Sequence, residues 1–344
     1  MASTRGALIK LIGIAALALA VAAGGAPALA QQQPAGKDVQ LLPPPGGQDN
    51  DVEVWRAVRG GVTGSVSIPD KKAGVLVQSG GQAWRAIRNG PVSTYGVWLL
   101  LGTVALLALF FALRGRIRIE HGRSGRRVLR FAGFERLVHW ITAVSFILLA
   151  LSGLNMLYGR YVLKPYMGAE GFSALTMAGK VLHDYVGFVF IAGIAIMLVM
   201  WIRHNVPRVV DLAWLARGGG MVGHDHPPAY KFNAGQKIIF AAVIIVGGMI
   251  SYSGVSLVFP FETAATVQGM QDLQLWHAVL SLVMMALIIA HIYIGTLGME
   301  GAFEAMRSGY VDETWAREHH SLWVAELEAE GKAAPEGARA APAE

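Results

Sequence analysis

Cysteine is absent from the 344-residue chain. That excludes disulfides, iron–sulfur clusters and thioether-attached haem, and leaves histidine as the main candidate metal ligand. Charge is scarce as well. Asp, Glu, Lys and Arg make up 15% of residues, well under the ~25% of a soluble domain, while 54% are hydrophobic and the mean hydropathy is +0.45. No cofactor-binding soluble domain and no nucleophile constellation stands out, so no catalytic residue is assigned. The net charge of +6 does not indicate nucleic acid, because much of it sits in one short segment without the interleaved aromatics of a nucleic-acid groove. The 42 glycines follow no collagen-like period, and membrane helices tolerate glycine better than soluble ones.

Long apolar runs are what the chain does contain. Five are present, at 95–113, 137–158, 181–202, 238–261 and 273–299, each long enough for a ~30 Å hydrocarbon layer. Between the first two lie eight arginines in residues 114–136, against Glu120 and Glu135. That density marks the segment as cytoplasmic and as a contact for acidic lipid headgroups. Alternation then places 203–237 and the tail beyond 299 inside, and 159–180 and 262–272 outside. The expected fold is an all-α membrane protein: a four-helix bundle at 137–299 with one additional N-terminal transmembrane helix at 94–113.

The start of the chain agrees with that orientation. Arg5 and Lys10 precede the apolar run 11–23, and Ala28-Leu29-Ala30 ends at a small-residue cleavage pattern. Residues 1–30 therefore read as a cleaved signal peptide, leaving the mature N-terminus periplasmic in a bacterial inner membrane. Residues 31–93 read as a small periplasmic region. It carries an echo, VWRAVRGG at 54–61 and AWRAIRNG at 83–90, two short amphipathic helices stopped by glycine, with Trp55 and Trp84 as apolar anchors. Residues 114–136 form the basic cytoplasmic loop and 300–344 a charged cytoplasmic tail.

Histidines at membrane depth carry the chemistry. His277 and His291 lie fourteen residues apart, close to four helical turns, so both rings leave one face of the fifth span about 21 Å apart along its axis. An imidazole in hydrocarbon is costly unless its lone pair or proton is engaged. His139 enters the second span from inside and His183 the third from outside. Depth therefore pairs His139 with His291 and His183 with His277. Two matched pairs, without cysteine and almost without intramembrane carboxylate, favour two bis-histidine haems b over zinc or a di-iron site. Gly153, fourteen residues after His139, and Gly187, one turn after His183, could let a porphyrin approach the backbone, although helix–helix contact explains small residues as well. In the polar loop YKFNAGQK, Asn233 and Gln236 could donate to a quinone carbonyl, or Asn233 could cap the fourth span. His204 reads as interfacial; for it and for His121, His224, His226, His319 and His320, occasional metal contact or simple solvent exposure would fit.

An ordered set of motifs extends this reading. VHW at 138–140, ALSG at 150–153, KVLHDYVG at 180–187, RHNVP at 203–207, KFNAGQK at 231–237, HIYIG from His291 and WAREHHSLW at 315–323 resemble the gamma (cytochrome b556) subunit of membrane-bound respiratory formate dehydrogenase. The histidines alone would also suit the cytochrome b subunits of nickel–iron hydrogenases or of thiosulfate and polysulfide reductases. They would also suit a non-redox membrane anchor in which they merely pack. The resemblance implies two haems b, with His183 and His277 ligating the outer one and His139 and His291 the inner one. It also implies quinone, menaquinone or ubiquinone, at Asn233, Gln236 and His291. The implied partners are an iron–sulfur beta subunit and a molybdenum- or tungsten-pterin alpha subunit that oxidises formate. Short members of that family have four helices. The leader, the outer region and the helix at 95–113 are an elaboration here, a potential dock for the iron–sulfur subunit.

Overall fold

The computed structural model describes residues 80–221, 226–263 and 266–332. The leader at 1–30, the rest of the outer region up to residue 79, including the first copy of the echo with Trp55, and His224 lie outside the described residues. Helix α1 (Gly80–Ile87) continues through a π-helical turn, Arg88–Val92, into α2 (Ser93–Arg114). The glycine stop expected at the end of AWRAIRNG does not occur. Pro91 has no N–H to give and its ring would crowd the carbonyl four residues back in an α-helix, and it lies inside the π turn. The Ser93 N–H instead reaches back to Arg88 O, which its Oγ also approaches at 3.0 Å.

Strand β1 (Arg127–Leu129) precedes α3 (Gly133–Val162), whose Glu135 carboxylate accepts the Ala132 N–H at 2.8 Å and secures the helix start. The expected outer loop at 159–180 is largely helical, because only Leu163 separates the end of α3 from the start of α4 (Lys164–Asn205). A straight 42-residue helix would be about 63 Å long, twice the hydrocarbon layer. Gly168, at φ +73°, divides it into a short outer piece and the membrane-crossing piece. At the other end Pro207 holds Val206 extended and stops the helix. Then come α5 (Val209–Ala216), α6 (Ala234–Val258), α7 (Pro260–Thr263) and α8 (Val267–Tyr293), which passes into a second π turn, Ile294–Gly298. The chain finishes with α9 (Ala302–Arg307), β2 (Tyr310–Asp312), α10 (Glu313–His319) and α11 (Ser321–Ala329).

Among the described residues five helical stretches are long and apolar enough to cross a membrane: Ala83–Arg114, Gly133–Val162, Lys164–Asn205, Ala234–Val258 and Val267–Gly298. The all-α bundle of four helices plus an extra N-terminal one is therefore present. α3 packs along α4, and α8 packs against α6 and α2. Phe190, Ile194, Val243 and Met284 fill the space between α4, α6 and α8. Large apolar side chains such as Leu101, Leu113, Val199 and Ile245 face outward, as lipid-facing positions do.

The most completely buried core lies at one end of the bundle, where the expected plain tail is folded. β2 pairs antiparallel with β1, Val128 opposite Val311. Val311, Trp315, Trp323 and Val324 pack with Phe131, Trp201 and Phe232. Acids of the C-terminal segment meet arginines of 114–136: Glu313 reaches Arg126 at 2.6 Å, and Glu304 reaches Arg123 at 2.7 Å. This end gathers 114–136, 226–237 and 299–329 together, the three segments that hydropathy assigns to one side of the membrane.

Candidate functional site

α8 supplies histidines at two levels, and each meets a ring from a different helix. His291 lies beside His139 of α3, ring centres 6.3 Å apart; His277 lies beside His183 of α4, ring centres 6.1 Å apart. Two imidazoles gripping one metal from opposite sides would have centres roughly 6.3 Å apart, given about 2 Å from metal to nitrogen and ~1.2 Å from nitrogen to ring centre. Both spacings fit that requirement. Among the described residues no three His, Asp or Glu side chains converge as they would on an ion held by protein alone. A metal inside a macrocycle brings four ligands of its own and needs only two from the chain, so the donor set fits haem b.

The two levels differ in what surrounds the rings. Around the His183/His277 pair, Ser152 Oγ lies 2.8 Å from His183 Nδ1, and Ser253 Oγ 3.0 Å from His277 Nδ1, which is also 3.1 Å from Ile250 O. A Cβ on Gly153 would stand 3.7 Å from His183 Cε1, an ordinary contact; one on Gly254 would stand a tight 3.2 Å from His277 Cε1. Gly187 faces open space. At the His139/His291 level, His139 Nδ1 is buried with no hydrogen-bond partner among the described residues. Its neighbour Trp140 instead donates to Met306 O at 3.0 Å and so ties α3 to α9. Sequence reasoning missed Ser152, Ser253 and Gly254. A signal existed, since Ser-Gly occurs at 152–153 and again at 253–254, in the helices that flank the outer pair.

Asn233 and Gln236 form a reciprocal cap on α6. Gln236 N–H donates to Asn233 Oδ1 at 2.9 Å, and Asn233 N–H donates to Gln236 Oε1 at 3.1 Å. Gln236 Oε1 also accepts from Arg130 Nη2 at 3.2 Å. Both side chains thus have a structural task, and the side-chain oxygens are the atoms occupied by it.

Arg130 is an unusual neighbour for that cap. It is buried, and its Nη2 also donates to Lys231 O at 2.8 Å and to His320 Nε2 at 2.9 Å, with Phe131 and Trp315 against the guanidinium. Burial pulls its pKa down to about 9. His320, expected in solvent, is 1% exposed. Its Nε2 accepts from Arg130, so its Nδ1–H donates to Tyr230 O at 2.6 Å. Burial, followed by the adjacent Arg130 charge, holds it neutral, well below the ordinary histidine range. His319 stacks between Trp315 and His226 and is pushed down to about 4, first by burial and then by His226. His121 does remain at the surface, bonded to Glu318 at 2.9 Å.

Comparison with known proteins places this site in a family. A family model described as prokaryotic cytochrome b561 matches residues 130–309, just over half of the chain. The cytochrome b556(fdo) subunit of formate dehydrogenase from Escherichia coli (strain K12) is 31% identical over 203 residues, 58% of this chain and 93% of that one. The nitrate-inducible cytochrome b556(Fdn) subunit of the same organism is 28% identical over 211 residues, 60% and 94% of the two chains. The formate dehydrogenase cytochrome b556 subunit of Haemophilus influenzae is 24% identical over 212 residues, 58% and 83%.

Proposed function

The chain belongs to the prokaryotic cytochrome b561 family, and we propose that within it this protein is the membrane cytochrome b subunit of a formate dehydrogenase, passing electrons from a periplasmic formate-oxidising module to membrane quinone. The observation that carries this reading is the pair of histidine pairs, one per level of α8, in a chain similar over most of their length to formate dehydrogenase cytochrome b556 subunits. His183 and His277 would hold the outer haem b, His139 and His291 the inner one. Haem b held by these residues would supply a one-electron couple.

The chain's own residues supply the rest. Its apolar helices keep water from the two levels, and the arginines of 114–136 orient the bundle with that end in the cytoplasm. Residues 1–30 would be removed as a signal, 31–93 would face the periplasm, and the folded segment from 300 onward would be cytoplasmic. Quinone would bind at the inner end, where Asn233 and Gln236 start α6 and His291 lies at the same level. Only the amide NH2 groups of those two side chains would be offered to a carbonyl, since their oxygens cap the helix. An iron–sulfur subunit and a molybdenum- or tungsten-pterin subunit would dock outside. Electrons entering outside and protons taken up inside make turnover electrogenic, worth about 2.3 kcal/mol per charge per 100 mV.

Purification of the tagged chain from its native membrane tests the assignment. A co-purifying pterin subunit, with formate reducing the haem bands of the complex, is the expected outcome. A hydrogenase or a sulfur-compound reductase in its place, with haem bands indifferent to formate, would overturn it.

A further inference from the structure

We infer that Ser152 and Ser253 are positioning residues that fix the tautomer of the outer pair, His183 and His277, and raise the electron-donor strength of those two rings. The inference rests on the reading of these imidazoles as axial ligands. It begins with proton accounting. Ser152 Oγ lies 2.7 Å from Leu148 O and 3.1 Å from Leu149 O; Ser253 Oγ lies 3.0 Å from Met249 O and 2.9 Å from Ile250 O. A carbonyl cannot donate, so each hydroxyl proton is committed to its own helix backbone. What each oxygen presents to the imidazole is a lone pair, at 2.8 Å from His183 Nδ1 and 3.0 Å from His277 Nδ1. Nδ1 must therefore carry the proton in both rings. For His277 the same proton has a second acceptor in Ile250 O. Nε2 is left as the atom with a free lone pair, the one able to ligate.

The device is duplicated. On α3 and again on α6 a serine is followed by a glycine, and each glycine's missing side chain lies against the Cε1 edge of the ring that the serine holds. On α6 the added Cβ would crowd that edge, so Gly254 lets the ring settle within reach of Ser253. At the inner level His139 Nδ1 has no such partner among the described residues. An acceptor on Nδ1–H makes the opposite nitrogen more basic, which favours ferric over ferrous iron. Loss of one serine oxygen should then raise the potential of the outer centre alone.

The test is a spectroelectrochemical titration of the haem-loaded full chain in lipid nanodiscs. In Ser152→Ala or Ser253→Ala, one of the two waves should move to higher potential, by up to a tenfold change in the ferric/ferrous equilibrium, about 59 mV for one electron. The other wave should stay. Ser145→Ala is the control, because that buried hydroxyl donates to Thr142 O, at 2.9 Å, and has no hydrogen bond to an imidazole among the described residues; it should move neither wave. Ser152→Thr keeps an oxygen that can bond the preceding turn and should restore the native potential. If Ser152→Ala loses its outer haem, Ser152→Thr decides: native occupancy and potential support the inference, and loss there too overturns it. Two haems in the wild type with unmoved waves in both alanine variants would overturn this inference alone. A wild type without haem would overturn the ligation reading and this inference with it.

Discussion

Acidification should loosen the core at the inner end of the bundle before it affects the membrane helices. His320 is neutral in the fold because burial disfavours its charged form and Arg130 occupies the side on which a second proton would have to sit, and His319 is held neutral down to about 4. In the unfolded segment both would titrate near 6.5. Below that value the unfolded state binds more protons than the folded one, so stability falls as pH falls, by up to about 1.4 kcal/mol per pH unit for each group. The loss continues for His319 until its folded value near 4 is passed. At pH 5 the two groups together should cost roughly 3–4 kcal/mol relative to pH 7.5, with His319 discounted for its partial exposure. Glu318 works in the opposite sense over a lower range. Its carboxyl is held below the ordinary value by hydrogen bonds from the His121 and Glu120 N–H groups and from the His121 ring, so its contribution is intact at pH 5. The assay is amide hydrogen exchange over 302–329 in nanodiscs, corrected for the intrinsic pH dependence. Protection should drop by roughly a hundredfold or more between pH 7.5 and 5.0, while the centres of α3 and α6 stay protected. Equal protection at both pH values, or the same pH dependence in a His319→Gln, His320→Gln double variant, would refute the reasoning.

Other outcomes follow from the same geometry. Lys237 Nζ is buried 2.7 Å from Asp211 Oδ2 and also donates to Val206 O, tying the start of α6 to α5. Lys237→Ala should therefore cost about 3–5 kcal/mol by leaving a buried carboxylate unpaired. Thermal unfolding in detergent checks this, and a loss under about 1 kcal/mol would contradict it. Gly254→Ala should crowd the His277 ring and lower haem occupancy at the outer level. Gly153→Ala meets only an ordinary contact at 3.7 Å, so the haem-free protein should gain about 0.5–1 kcal/mol from it. Weaker haem retention in that variant would then report on a porphyrin face at Gly153.

The five spans were legible because a bilayer imposes a one-dimensional length on apolar sequence. Helix ends were less legible. Gly90 reads as a helix stop, yet helix continues through it and Pro91 because a π turn keeps backbone groups bonded where a loop at the membrane would not, whereas the loop expected at 159–180 shrinks to a kink at Gly168. Histidine levels followed from the helical rise, as the fourteen-residue spacing on α8 illustrates, together with the alternation of the spans. The hydroxyls of Ser152 and Ser253 did not, since their partners depend on how α3 turns toward α4 and α6 toward α8. The inner-end core was hidden for a similar reason. β1 and β2 are three-residue strands paired across about 180 residues of chain, too short to announce themselves by alternation. The buried state of His320 exists only once Arg130 and Tyr230 have been brought to it.

The central claim is that four imidazoles hold two haems in the pairs His183 with His277 and His139 with His291. Haem-to-protein ratios in double variants test it most directly. The account predicts two haems in the wild type, one remaining in His183→Ala/His277→Ala, and none in His183→Ala/His291→Ala. A ratio of zero in the first double variant, or of one in the second, would contradict the pairing.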